Sequence, residues 1–176
     1  MTATKHRHSH VHTHHAAPHH KPHAHPAPPY VTAFFAAHVA EARAVGMKYG
    51  LPASAILAQS ALESTWGTNA PGNAFFGIKG KAPSGKSVQT ATHETIKGKS
   101  VAETDAFRAY DSWADAADDY ANLITTHKAY AGVLPYRHDG PKYAEAMGRT
   151  PYATGAGYGA KMKSIIKSHN LTQYDK

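Results

Sequence analysis

The first 29 residues contain almost nothing that can pack into a hydrophobic core, and this confines any fold to the rest of the chain. Ten of the fifteen histidines lie there, and Val11 is the segment's only Val, Leu or Ile. Burial of apolar surface is what offsets the entropy lost on folding. We therefore predict a disordered His- and Pro-rich arm over residues 1–29 and one folded domain over residues 30–176.

The histidines of this arm have two functional interpretations, metal capture and a cationic arm that titrates near about pH 6.5. Specific zinc sites use a few ligands at fixed spacings, not a continuous run of histidines. We therefore favour a flexible leader with no metal site.

The folded part is mildly basic and has no thiol chemistry. The chain has 19 Lys and Arg against 12 Asp and Glu, and the arm contributes Lys5, Arg7 and Lys21 but no acid. A modest positive charge suits any polyanion and selects none. The absence of cysteine excludes disulfides, thiolate metal sites and thiol nucleophiles.

The amino terminus lacks the plan of a Sec signal peptide, because Met1 is followed by alternating histidines and not by an apolar stretch. No apolar run approaches the roughly 20 residues that span a bilayer. We therefore expect no membrane insertion and an export route other than Sec.

Two helices are predicted at the start of the domain. Apolar residues at spacings of three and four indicate the first, from Val31 to about Tyr49, where Gly50 ends it. Pro52 suits the first turn of the second helix, which is mostly apolar. Its end is expected near Trp66-Gly67.

The rest of the domain predicts one β-hairpin and three further helices. Residues 87–110 are rich in Thr and Val around a central Lys97-Gly98-Lys99, as in a hairpin. Ser112 begins a capping box for a third helix, Pro141 opens a short fourth, and the last starts near Tyr158. The expected fold class is α+β, mainly α.

Glu63 is the acid with the least ordinary surroundings. It lies near the end of the second helix on one face with Ile56, Gln59 and Ser60, just before Trp66. Partial burial without a paired cation raises a carboxyl pKa, so that the acid can donate a proton near neutrality. Glycosidic cleavage needs such an acid, although a Glu that only caps or bridges locally fits the helix position equally well.

Four blocks of sequence occur in one order across residues 31–175. They are Ala55–Gly67 (AILAQSALESTWG), Gly72–Gly80 (GNAFFGIKG), Phe107–Ser112 (FRAYDS), and Tyr152-Ala153-Thr154 with Tyr158 and Lys161. Together they resemble the glucosaminidase family, which includes flagellar peptidoglycan hydrolases, autolysins and phage lysins. The first block resembles the catalytic helix of that family.

The resemblance implies a lysozyme-like helical domain with a small β-hairpin lobe flanking a substrate groove. It implies that Glu63 is the general acid and that Tyr152 lies near it as a further catalytic residue. Glu94 is the best positional match for a second catalytic acid, with Glu103 and Asp105 on the returning arm as alternatives. Family members vary in this hairpin.

Aromatic rings in such a groove pack against the C–H faces of sugars, and polar groups bind the hydroxyl and N-acetyl groups. The expected substrate-binding residues are Trp66, Asn73, Phe76, Tyr110 and Tyr158. Core packing is the alternative for Trp66 and Phe76. The chain departs from the family pattern at Ala74, where the family has a second Asn, and at Gly155-Ala156, where it commonly has Asp-Pro.

The implied activity is that of an endo-β-N-acetylglucosaminidase, which cuts the β-1,4 bond on the reducing side of N-acetylglucosamine in peptidoglycan without a metal or organic cofactor. An inverting, a retaining and an acetamido-assisted mechanism stay open. An N-acetylmuramidase or lytic transglycosylase with the same Glu is the alternative enzyme. A non-catalytic wall-binding module is the alternative from another class, and a nucleic-acid binder ranks last because no Lys/Arg stripe is clustered.

The implied partners are peptidoglycan glycan strands, with a secretion-machine component or an immunity protein as further candidates and no nucleic acid. We expect a monomer that acts at the cell wall or in the periplasm. Two settings fit: a phage lysin, and an antibacterial effector or assembly factor exported by a dedicated secretion system.

Overall fold

A computed structural model describes residues 27–96, 99–153 and 155–176, with the backbone alone for 92–96 and 99–103. The helices are α1 (Pro29–Tyr49), α2 (Ala53–Glu63), α3 (Trp113–Thr126), α4 (Gly140–Met147) and α5 (Tyr158–Ser168), and the strands are β1 (Ser87–Ile96) and β2 (Lys99–Arg108). Short 3₁₀ segments, which the sequence did not predict, lie at Pro71–Asn73, Lys128–Tyr136 and Leu171–Tyr174. The mainly helical α+β class is confirmed. The predicted disorder of the arm concerns residues that lie mostly outside the described ranges, and it stays a prediction.

Helix α2 is the centre of the core. All residues from Ala53 to Ala61 are buried, and the helix packs against α1, α4, α5 and the 3₁₀ segment Leu171–Tyr174. A helix that is apolar on all sides is stable only when it is enclosed in this way. Its buried Ser60 hydroxyl accepts a hydrogen bond from Trp113 Nε1 at 2.8 Å, which ties α2 to α3.

The end of α2 differs from the prediction. The helix ends at Glu63, three residues earlier than expected, because Thr65 and Trp66 take left-handed φ values of 49° and 58°. Ser64 Oγ donates to the Ser60 carbonyl at 2.6 Å and accepts from Gly67 N at 2.8 Å, which satisfies backbone groups at this turn. Glu63 is therefore the last residue of the helix.

The later helices begin within one residue of their predicted starts. Ser112 Oγ accepts from Asp115 N at 3.1 Å and donates to the Asp115 carboxylate at 2.7 Å, which confirms the capping sequence of α3. Helices α4 and α5 approach closely, since a Cβ placed on Gly159 would lie 2.7 Å from the Ala144 carbonyl oxygen. None of the helices in the described ranges is long and apolar enough to cross a membrane.

Strands β1 and β2 form the predicted antiparallel hairpin, in register from Ser87 opposite Arg108 to Ile96 opposite Lys99. Its base is joined to the loop after the Pro71–Asn73 segment. Arg108 N donates to the Ile78 carbonyl at 2.8 Å, and Gly80 N donates to the Ala106 carbonyl at 2.7 Å. These bonds hold the hairpin beside residues 76–80, which pass close to Glu63.

Candidate active site

Glu63 stands at the carboxyl end of α2 as a half-buried acid with one defined partner. Tyr158, the first residue of α5, donates a hydrogen bond from its hydroxyl to Glu63 Oε1 at 2.7 Å. Burial raises the pKa of Glu63 above its usual range, and the Tyr158 hydrogen bond opposes that rise without cancelling it. The elevated pKa that the sequence predicted for a partly buried Glu63 is therefore present.

The second oxygen of Glu63 faces a glycine. A Cβ placed on Gly77 would lie 3.1 Å from Glu63 Oε2, so any larger residue would occupy the space in front of that oxygen. Gly77 also takes a left-handed φ of 60°, which residues with a Cβ atom adopt only with strain. Gly77 belongs to the block Gly72–Gly80, but its place beside Glu63 was not predicted.

These two neighbours determine which oxygen of Glu63 carries the proton. In a protonated carboxyl group one oxygen is the hydroxyl donor and the other is free to accept. Because Oε1 accepts from Tyr158, the proton of the neutral acid belongs on Oε2. The transferable proton thus lies on the side that Gly77 keeps open.

Three half-buried tyrosines, which we call the tyrosine row, run from Glu63 toward Arg108. Tyr158 and Tyr152 have ring centroids 6.5 Å apart, and Tyr152 and Tyr130 have centroids 6.0 Å apart. Burial is the main cause that raises the pKa of each phenol, and the nearby charge of Glu63 adds to the rise for Tyr152 and Tyr158. The row is therefore neutral over the ordinary pH range.

Tyr152 and Tyr158 lie at the site as predicted, whereas Tyr130 was missed. Tyr130 belongs to the 3₁₀ segment Lys128–Tyr136, which carries no simple helical periodicity. The Tyr152 hydroxyl donates to the Phe76 carbonyl. Its proton is thus committed to the backbone, and its oxygen is left as an acceptor.

Two predicted substrate-binding residues are core residues instead. The Phe76 ring is 0% exposed and stacks on Tyr120 with centroids 4.6 Å apart. Tyr110 is 9% exposed and donates its hydroxyl to Asp119 at 2.7 Å. Both rings fill the core between α3 and the hairpin base, and this burial favours core packing over the predicted direct contact with sugar.

Trp66 and Asn73 also have structural partners. The Trp66 ring packs edge-on against Phe34, Phe35 and His169, with centroids 5.2 to 6.4 Å away. Those partners belong to α1 and the end of α5, not to the tyrosine row. Asn73 Nδ2 donates to the Tyr110 carbonyl at 3.0 Å, so this amide supports the loop; its sugar contact stays a prediction.

The hairpin acids are only partly described. Asp105 lies 2.7 Å from Lys79 Nζ, and the side chains of Glu94 and Glu103 lie outside the described residues. The backbone register pairs Glu94 with Val101 and Glu103 with Thr92. All three acids therefore belong to the same alternating set of positions along the hairpin, a relationship that the sequence did not predict.

The family model described as mannosyl-glycoprotein endo-beta-N-acetylglucosaminidase, named Glucosaminidase, matches residues 39–171. The chain belongs to the glucosaminidase family. The matched range contains Glu63, the hairpin and the tyrosine row, so the resemblance carried by the four sequence blocks is confirmed.

Relatives and solved structures agree with this glucosaminidase assignment. An autolysin of Enterococcus faecalis is 36% identical over 146 residues, which are 76% of this chain and 19% of the autolysin. A probable N-acetylmuramidase of Lactococcus lactis subsp. lactis is 35% identical over 152 residues, 81% of this chain and 34% of that protein. The chain thus spans about a fifth to a third of the length of these curated relatives.

The fold comparison gives the same family. The crystal structure of the catalytic domain of the autolysin Auto from Listeria monocytogenes is 30% identical, with a TM-score of 0.72 over 87% of this chain and 92% of that domain. The lysozyme-like fold that the sequence blocks implied is confirmed.

Proposed function

We propose that this glucosaminidase-family domain is a glycoside hydrolase that cleaves the β-1,4 bond on the reducing side of N-acetylglucosamine within peptidoglycan strands, with Glu63 as general acid. The observation that carries the proposal is the environment of Glu63. The acid has a raised pKa, Tyr158 holds Oε1, and Oε2 faces the space beside Gly77. Enzymes tune a catalytic Glu upward by burial so that it is protonated at the working pH.

The first step follows from that geometry. Glu63 Oε2 gives its proton to the glycosidic oxygen, the bond from the anomeric carbon to that oxygen breaks, and positive charge develops on the sugar ring. Glu63 is then a carboxylate whose Oε1 still accepts from Tyr158. A water finally adds its hydroxyl to the anomeric carbon, and its proton goes to a base.

The group that assists at the other face of the sugar is one of two kinds. A hairpin acid, Glu94 with Glu103 and Asp105 as alternatives, would activate water or attack directly. The substrate's own acetamido oxygen would serve in the other case. Tyr152 suits the second route. Its hydroxyl donates to the Phe76 carbonyl, so its oxygen can still accept a hydrogen bond from the acetamido N–H.

The row of Tyr158, Tyr152 and Tyr130 supports a glycan strand as the substrate. Half-buried aromatic rings at successive spacings of 6.5 and 6.0 Å are suited to pack against the C–H groups of pyranose rings. Trp66 and Asn73 remain proposed as further contacts. The domain would then act at the cell wall or in the periplasm, as a lysin, an autolysin or a secreted effector.

Product analysis on purified sacculi tests this proposal. After digestion, borohydride reduction and mass analysis, N-acetylglucosamine should stand at the new reducing ends. Reduced N-acetylmuramic acid would show a muramidase, and anhydromuramic ends would show a lytic transglycosylase. Either of those results would overturn the bond assignment while leaving Glu63 as the acid.

The matched variant is Glu63→Gln, which is nearly isosteric and removes the transferable proton. We expect it to release products at least about a hundredfold more slowly, with unchanged binding to sacculi. Release of no products by the wild-type domain, together with equal binding by both proteins, would indicate a wall-binding module instead of an enzyme.

A further inference from the structure

A fourth aromatic ring continues the tyrosine row beyond Tyr130. The ring centroids of His127 and Tyr130 lie 5.7 Å apart, close to the 6.0 Å between Tyr130 and Tyr152. Among the described residues, His127 contacts no ring of the row except that of Tyr130. The row thus has an inner end at Tyr158, which bonds Glu63, and an outer end at His127.

His127 lies at the junction of two elements, where a tight turn holds it. It follows the last residue of α3 and precedes the 3₁₀ segment Lys128–Tyr136. Its Nδ1 accepts a hydrogen bond from Ala129 N at 3.2 Å, and its carbonyl oxygen accepts from Tyr130 N at 3.0 Å. These two bonds fix the imidazole beside the Tyr130 ring.

The bond from Ala129 also determines which nitrogen of the imidazole is a donor. In a neutral imidazole one ring nitrogen carries the proton and the other is an acceptor. Because Nδ1 accepts from the backbone, the proton of the neutral ring is on Nε2. His127 is exposed, and no described residue accepts a hydrogen bond from Nε2. The outer end of the row therefore carries an N–H group that is available to a ligand.

The outer pair of rings is tilted and not stacked. The planes of Tyr130 and His127 meet at 52°, so neither ring covers a face of the other. Tyr130 is only partly buried. An aromatic ring with a polar donor beside it is a suitable partner for a sugar, which has both C–H faces and hydroxyl groups.

We propose that His127 and Tyr130 form an outer sugar-binding subsite, in which Tyr130 packs against a pyranose ring and His127 Nε2 donates to a hydroxyl or N-acetyl oxygen of that sugar. The inference rests on the proposed function, because the sugar in this subsite belongs to the strand whose bond Glu63 cleaves. A strand that reaches from Glu63 to His127 gains contacts that a short strand lacks. The domain should therefore prefer long strands, as an endo-acting enzyme does.

Binding of peptide-free peptidoglycan strands, separated by length, tests the subsite. The full chain carries Glu63→Gln so that the strands stay intact, and calorimetry compares long strands with the shortest strand that binds measurably. His127→Ala and Tyr130→Leu should each weaken binding of long strands by about three- to tenfold, as expected for the loss of one hydrogen bond or ring contact, and leave the shortest strand unaffected. Equal weakening at both lengths would overturn the inference, and so would unchanged binding of long strands.

His127→Asn separates the role of the ring from that of the turn. An asparagine side chain can accept from the backbone N–H two residues later, so it replaces Nδ1 as the acceptor for Ala129 N but brings no ring. We expect a melting temperature near that of wild type and the same loss of long-strand binding as in His127→Ala. Full binding by His127→Asn would show that the imidazole is not needed and would overturn the inference.

The matched control is His138→Ala. His138 is also exposed and lies just after the same 3₁₀ segment, but it contacts no ring of the row among the described residues. Its removal should leave binding of strands of every length unchanged. A loss equal to that of His127→Ala would contradict a subsite at His127.

Nitrogen-15 NMR of protein with labelled histidine gives a readout that needs no hydrolysis. His127→Ala and His138→Ala assign the two imidazoles. Long strands should shift the Nε2 signal of His127 and leave that of His138 in place. If the wild-type domain fails to hydrolyse sacculi, the proposed function fails, while a shift of His127 with long strands alone supports the subsite. An unmoved His127 signal with a long strand bound overturns the subsite even where hydrolysis is normal.

Discussion

Tyr158 Oη lies 2.7 Å from Glu63 Oε1, although 95 residues separate the two in sequence. The bond joins the first residue of α5 to the last residue of α2. The carboxyl end of a helix carries partial negative charge, which disfavours an ionised carboxylate there. Burial and this helix position thus disfavour the ionised form of Glu63, whereas the hydrogen bond from Tyr158 favours it.

Tyr158→Phe should move the alkaline limb of activity to higher pH. The Tyr158 hydrogen bond lowers the pKa of Glu63 against the larger effect of burial, so its removal lets the pKa rise further. The acid then stays protonated to higher pH. The maximal rate should fall about tenfold, because Oε1 no longer accepts a hydrogen bond that stabilises the carboxylate. The measurement is kcat/KM against pH, with the exposed Tyr30→Phe as control. An alkaline limb that moves to lower pH would contradict the assignment.

Glu63→Gln should stabilise the fold at neutral and higher pH. The folded-state pKa of Glu63 is raised, so the contribution of this acid to stability is present below its unfolded-state pKa and is lost as pH rises through the folded-state value. A neutral glutamine does not undergo that loss. Thermal unfolding at pH 4 and pH 8 should show a melting-temperature advantage for the variant at pH 8 that shrinks at pH 4. An equal difference at both values would show that Glu63 is not the titrating group.

Gly77→Ala should lower the rate of wall hydrolysis strongly, while its loss of melting temperature should match that of an alanine at another left-handed glycine. The new Cβ would lie 3.1 Å from Glu63 Oε2, and the left-handed φ of 60° adds strain of about 1–2 kcal/mol. Gly85→Ala is the matched control, because Gly85 has a φ of 84° and no atom near its added Cβ. Both variants should lose similar melting temperature, and only Gly77→Ala should lose wall hydrolysis. Equal activity of the two would remove Gly77 from the site.

The hairpin acids are distinguished by three single variants. If Glu94 is the second catalytic group, Glu94→Gln should reduce kcat by about 10² to 10⁴ with little change in KM, while Glu103→Gln and Asp105→Asn stay near wild type. Asp105→Asn also removes the 2.7 Å ion pair with Lys79, so its melting temperature is measured beside its rate. Activity within a few-fold of wild type in all three would favour the acetamido-assisted route.

Asp119→Ala should destabilise the domain strongly. This residue is 8% exposed and accepts from Arg108 at 2.8 Å and from the Tyr110 hydroxyl at 2.7 Å, so its loss leaves buried donors unpaired at a cost of about 1–3 kcal/mol. The neighbouring Asp118→Ala breaks an exposed ion pair with Lys48 and a partly buried hydrogen bond from Tyr49, and it should cost less stability than Asp119→Ala. Urea unfolding measures both, and similar midpoints would contradict the role of Asp119.

The sequence by itself determined the order and the starts of the helices and the position of the hairpin. Periodicity, the cap at Ser112 and the breaker Gly50 act over a few residues, so their effects can be read locally. The same kind of pattern singled out Glu63, because a carboxylate on an apolar helix face is unusual wherever the helix packs. The turn that ends α2 early at Thr65 and Trp66 was not visible, since neither residue usually adopts a left-handed φ.

Only the tertiary structure decided which rings face the site and which fill the core. Phe76 and Tyr110 lie in sequence blocks that resemble the family, yet both are buried in the core. Tyr130 comes from an unpredicted 3₁₀ segment and packs beside Tyr152 in the tyrosine row. The pairing of Glu63 with Tyr158 and the space at Gly77 depend on contacts between distant elements. Such contacts arise from how α2, α5 and the hairpin base pack together, and no local spacing in the chain encodes that packing.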